Sequence, residues 1–135
     1  MALFLVRHGR SAPRPGTPPH LWELDPTGFD DVWALRESGR LPARAAWFCS
    51  PVPKAIATAQ LLTESDVGVL DDLREHVRLT DDWIDDFAGT VRRAFEHPEL
   101  PAYRGDHPVA ALTGTPPDLD RWESLAMPDL IVLPV

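Results

Sequence analysis

Leu3-Phe4-Leu5-Val6-Arg7-His8-Gly9-Arg10-Ser11 decides how the rest of the chain is read. The apolar residues 3–6, branched and aromatic, suit a short buried strand, and Gly9 ends it. Arg7 and His8 then stand at the strand's carboxyl end, where open α/β sheets bind their ligands. Met1-Ala2 carries no basic region ahead of this run, so a strand is expected here and not a signal peptide. Arg7, Arg10 and Arg14 precede the first acid, Glu23, in a chain of 13 basic and 21 acidic residues with a formal charge of −8. That contrast points to a small anionic ligand near the N-terminus. The overall charge argues against partnership with nucleic acid or an anionic membrane surface.

Working outward, Phe29, Val32, Trp33, Leu35 and Arg36 fall at helical spacing, with Gly39 as a stop. Ala45 to Cys49 is a second apolar run, closed by Ser50-Pro51. Pro53 then opens a helix with Ile56, Ala59 and Leu62 along one stripe. Val67 to Leu70 reads as a third strand. Ile84, Phe87, Val91 and Phe95 form an amphipathic stripe, with Asp81, Asp82, Asp85 and Asp86 at its amino end, where the helix dipole favours acids. A last helix over 119–125 and a terminal strand from Leu130 to Val135 complete the pattern, while Pro98 to Pro117 shows no periodicity. Alternating strands and helices predict an α/β three-layer sandwich: a mainly parallel sheet with helices on both faces.

At 135 residues, the chain is expected to form a single domain, 1–135. The lone Cys49 excludes an internal disulfide framework and any cysteine-cluster zinc site, and it fits a reducing cytoplasm. Ile131 to Val135, the longest apolar run, falls far short of the roughly 18 apolar residues a membrane span needs.

Leu5-Val6-Arg7-His8-Gly9-Arg10-Ser11 resembles the Arg-His-Gly signature of the histidine phosphatase superfamily, the phosphoglycerate-mutase-like family. The family's Ser-Pro-x-x-(Arg or Lys)-Ala-x-x-Thr-Ala landmark follows as Ser50-Pro51-Val52-Pro53-Lys54-Ala55-Ile56-Ala57-Thr58-Ala59. Leu73-Arg74-Glu75 looks like the third landmark, which carries an acidic proton donor. Leu24 to Gly28 resembles the Leu-x-x-x-Gly that starts the first long helix. The resemblance covers residues 3 to about 78, and the last strand beyond them.

It implies a phosphomonoester hydrolase that works through a phosphohistidine and needs neither metal nor cofactor, on a phosphorylated small molecule or phosphate-like anion. His8 would be the nucleophile, splitting one difficult displacement into two easier ones. Arg7 and Lys54, the chain's only lysine beside twelve arginines, would hold the phosphate oxygens. Gly9 would let the backbone come close to the phosphate, Ser11 would donate a hydroxyl, and Glu75 would protonate the leaving group. The plainer readings stand beside these: Lys54 as a solvated helix-end lysine, Glu75 as part of an acidic surface with Asp71 and Asp72.

The family's fourth landmark, a second histidine in a Val-x-x-His-Gly setting on a central strand, has no match between Phe95 and Leu130; His107 is the nearest histidine. An internal deletion, a sheet that closes directly, or an element supplied by a second subunit in a homo-oligomer would each account for this. Arg14 stands where mutase members carry asparagine, which favours a phosphatase, and Arg10 makes the pocket mouth more basic. The alternatives are a catalytically impaired relative that binds a phosphorylated ligand, and an acidic α/β interaction domain.

Overall fold

The computed structural model describes residues 2–74, 77–78, 86, 89, 92–93, 96, 103–104, 120 and 124–134. In chain order the elements are β1 (Ala2–Arg7), α1 (Phe29–Glu37), β2 (Trp47–Cys49), α2 (Pro53–Leu62), β3 (Val67–Val69), β4 (Val77–Arg78), β5 (Tyr103–Arg104) and β6 (Asp129–Pro134). Among the described residues, no helix is long and apolar enough to cross a membrane.

Local chemistry sets both helices. In α1, Asp30 and Asp31 occupy the first turn and Arg36 the last, each at the end the dipole favours. The Ser38 hydroxyl donates to the Leu35 carbonyl at 2.6 Å, and Gly39 turns the chain at φ +74°, which explains the stop at that glycine. In α2, Pro53 sits at the first helical position, where its missing N–H costs nothing and its fixed φ already suits a helix. Arg36 joins the two helices, donating to the Leu61 carbonyl at 3.2 Å and pairing with Glu64 at 3.3 Å.

Val32, Leu35, Leu62 and Leu130 form the buried core, with Phe4, Val6, Leu41, Trp47 and Leu61 packed against it. Strands β1, β6 and β2 therefore all lean on the α1–α2 layer. β1 runs antiparallel to β6 from Ala2↔Pro134 to Arg7↔Asp129, whereas β2 and β3 are parallel, with Phe48 opposite Gly68. β4 and β5 pair antiparallel, so the stretch between Pro98 and Pro117, which shows no periodicity, holds a strand at Tyr103–Arg104.

These pairings depart from the mainly parallel sheet expected, since two of the three described are antiparallel. One of the two is formed by β6, which returns beside β1 in the opposite direction, and the other is the short β4–β5 pair. No described strand joins β1 to β2, the place where the resemblance puts the strand of the second histidine. The expected helices over 84–95 and 119–125 lie mostly outside the described residues, although positions 89, 92, 93, 96, 120 and 124 are helical.

Phe48 is 56% exposed and Val69 55%, so neither short strand is the fully buried element its apolar run suggests. Cys49, by contrast, packs at the end of β2, and burial pushes its thiol pKa up. Because the thiolate is the reactive form, native Cys49 should react with a disulfide reagent about tenfold or more slower than in denaturant. Equal rates in the two states would show that the β2 end is open.

Candidate functional site

The site grows from the end of β1. Arg7 donates from Nη1 to the Leu125 carbonyl at 2.8 Å, tying the strand to the segment that leads into β6. Asp129 shapes that segment, accepting from the Ala126 N–H at 3.0 Å and from its neighbour Leu130 at 2.8 Å. Beyond His8 the chain leaves the ladder and lies antiparallel to residues 23–25. Asp25 donates to the Arg10 carbonyl at 2.8 Å, Ala12 donates to the Glu23 carbonyl at 2.9 Å, and Ser11 bridges to Leu24. Asp25 also receives hydrogen bonds from the Thr27 hydroxyl and N–H. These, with the exposed Arg10 charge as a smaller influence, hold its carboxyl below the ordinary range against a modest opposing effect of burial.

The half-buried His8 places Nδ1 2.6 Å from the Gly9 carbonyl oxygen. A carbonyl can only accept, so the ring donates and Nδ1 holds the proton. In the neutral imidazole, Nε2 then carries the lone pair. This is the tautomer that a nitrogen nucleophile requires.

Gly9 is buried, and its N–H donates to the Thr58 hydroxyl oxygen at 3.0 Å. A Cβ placed on it would stand 2.8 Å from Val32 Cγ2 and 3.4 Å from Leu24 Cδ2. The space that glycine leaves open is therefore taken by the core. Its absent side chain admits α1.

Lys54 is 4% exposed, which corrects the reading of it as a solvated helix-end residue. Its Nζ lies 6.0 Å from the centroid of the Trp22 ring, and Trp22 Nε1 donates to the Thr17 carbonyl at 2.9 Å. A cation over an aromatic face in a partly desolvated setting gains electrostatically. The buried Ser50 accepts from the Val52 N–H at 3.3 Å, closing the turn that delivers α2.

Thr58 joins the two motifs. Its hydroxyl donates to the Lys54 carbonyl at 2.7 Å while accepting from Gly9. Thr58 lies within the Ser-Pro landmark, whose pattern alone gives it no role. The signal for it in the sequence is a hydroxyl four residues after Lys54, on the same buried face of α2. Arg7, His8, Gly9, Ser11 and Lys54 thus lie on elements joined at Gly9 and Thr58, with Arg10 at the exposed rim. Glu75 and His107 lie outside the described residues. Among the described residues, no group of His, Cys, Asp and Glu could hold a metal ion.

No family model and no curated protein matches the chain. Solved structures do: a candidate alpha-ribazole-5'-P phosphatase from Escherichia coli str. K-12 substr. MG1655 superposes with a TM-score of 0.52 at 20% identity, over 78% of this chain and 59% of that one. The fold is α/β and similar to that of the phosphoglycerate-mutase-like phosphatases. A protein histidine phosphatase SixA in complex with tungstate matches at a TM-score of 0.48 and 22% identity, over 54% of this chain and 51% of that one. A candidate phosphohistidine phosphatase SixA from Nakamurella multipartitia matches at 0.44 and 26%, over 54% and 44%. The chain spans less than two thirds of each of these structures.

Proposed function

We propose that the chain is a histidine-phosphatase-type phosphomonoester hydrolase acting through a phosphohistidine on His8. The observation that carries this reading is the His8 ring, whose Nδ1 is committed to the Gly9 carbonyl, which leaves Nε2 to bear the lone pair when the ring is neutral. Nε2 attacks phosphorus in line, and a P–N bond forms as the bond to the ester oxygen breaks. The leaving alkoxide takes a proton from an acid, the role assigned to Glu75. Water, deprotonated by the same carboxylate, then attacks the phosphohistidine and returns imidazole and orthophosphate.

Arg7 and Lys54 supply positive charge for the equatorial oxygens; the burial of Lys54 strengthens that charge by excluding competing water. Ser11 contributes a hydroxyl, and Arg10 at the exposed rim favours substrates with further negative charge. Gly9 acts through its carbonyl, which orients the imidazole. Residence in the cytoplasm and independence from metal belong to this reading.

The test is hydrolysis of a simple aryl phosphate by the purified protein in the presence of a chelator, with thermal melts in orthophosphate or vanadate alongside. Turnover is expected, and so is a raised Tm, because a ligand at a hundredfold excess over Kd stabilises the native state by about 2.7 kcal/mol. A folded protein that is inert yet stabilised by the anion overturns hydrolysis in favour of ligand binding. One that is inert and unshifted overturns the phosphate site itself.

A further inference from the structure

We infer that Thr58 is a positioning residue for the nucleophile: its hydroxyl fixes Gly9, and through the Gly9 carbonyl it fixes the tautomer and orientation of His8. This rests on the proposed role of His8. The geometry makes Thr58 polar in one sense only. A hydroxyl has a single proton, and here it goes to the Lys54 carbonyl at 2.7 Å, so the oxygen meets Gly9 with a lone pair and can only accept the N–H at 3.0 Å. That N–H is buried just past the end of the β1 ladder. Without Thr58 it would be a buried donor with no acceptor among the contacts described, an arrangement proteins avoid.

Residue 9 is then held on two sides, by Thr58 at its nitrogen and by Val32 and Leu24 over its Cα. Its carbonyl has little freedom left, and that carbonyl receives His8 Nδ1 at 2.6 Å. Loss of the hydroxyl would let the Gly9 N–H seek another partner and rotate the backbone at residue 9. The acceptor that keeps the proton on Nδ1 would move with it. Thr58 also ties the carbonyl of Lys54, so one hydroxyl sets the spacing between the α2 cation and the loop that carries the nucleophile. A back-bonded threonine is unremarkable within a helix. What sets Thr58 apart is the second bond, to a backbone N–H 49 residues away.

The experiment compares Thr58→Val, Thr58→Ser and Thr58→Ala with wild type by kinetics and by nitrogen NMR of the His8 ring. Thr58→Val is expected to lower kcat about 10- to 100-fold with KM within about threefold, as displacement of a reacting group does. Thr58→Ser, which keeps the hydroxyl, should restore kcat to within about threefold. In the spectrum, wild type and Thr58→Ser should show the Nδ1–H tautomer, and Thr58→Val a mixture with Nε2–H. If Thr58→Val does not fold, the Ser and Ala variants, both lacking the methyl, isolate the hydroxyl in the same way. Unchanged tautomer and kcat in Thr58→Val, or in Thr58→Ala beside Thr58→Ser, overturns the inference. So does a Thr58→Ser that fails as Thr58→Val does, since methyl packing would then be the cause. An inert wild type defeats the hydrolase reading instead, and the tautomer comparison still decides the role of Thr58.

Discussion

Replacement of His8 by alanine should abolish aryl phosphate hydrolysis, with a fall of about a thousandfold or more, equivalent to some 4 kcal/mol of transition-state stabilisation. No neighbouring imidazole among the described residues can take over: His20 is exposed on the turn Pro19–Leu21. The fold should survive, because the core is built from Val32, Leu35, Leu62 and Leu130, and His8 is only half-buried beside it. Melting curves and circular dichroism of both proteins check that point. Rapid acid-free quenching with labelled substrate adds a covalent readout: wild type should carry a phosphoryl group that hot acid removes, and His8→Ala should carry none. A folded variant that keeps a tenth or more of the wild-type rate would remove His8 from the chemistry.

Gly9→Ala should be the more damaging change to the fold. Its Cβ would meet Val32 Cγ2 at 2.8 Å, and Val32 is fully buried with nowhere to retreat. Overpacking of this kind costs about 1–3 kcal/mol. Activity should fall as well, since residue 9 carries both the bond to Thr58 and the bond to His8. A double-mutant cycle identifies the cause. Val32→Ala alone should cost about 1–3 kcal/mol as a cavity, and combining it with Gly9→Ala should cost clearly less than the sum, because the smaller side chain relieves the clash. Denaturant melts of the four proteins measure this. Costs that add to within about 0.5 kcal/mol would show that Gly9 is glycine for some other reason.

The elements that local chemistry encodes were legible in the sequence. Gly39 ends α1 because it takes a positive φ, and Pro53 begins α2 because its ring suits a first turn. The strands at residues 2–7, 47–49 and 67–69 lie within or about their apolar runs. What stayed hidden is non-local. Nothing in Leu130 to Val135 says that it runs antiparallel to β1, because an apolar run has no direction. Phe48 looks buried by composition and is exposed because α1 and α2 cover the other face. Within the site, the motif places Lys54 but neither its burial nor the Trp22 ring that a distant loop brings 6.0 Å from its Nζ. Thr58 was in view as a letter. Its role appears only when the ends of β1 and α2 come within hydrogen-bond reach, a fact of tertiary packing that spacing within one helix does not contain.

The pairing of β1 with β6 bears on the order in which the molecule can assemble. Arg7 reaches a carbonyl 118 residues away, and every rung of the β1 ladder joins residues 2–7 to residues 129–134. During synthesis, β1 has no described partner strand until residues 129–134 have been made. The α1–α2 pair, whose contacts are closer in sequence, can form well before that. Closing so long a loop is slow relative to forming local contacts. β1, which ends at Arg7 and leads into His8, is therefore locked to β6 only after the α1–α2 pair can form. Until then its unpaired edge stays open to the wrong neighbour, and anion binding by the nascent chain would be a late reporter of folding.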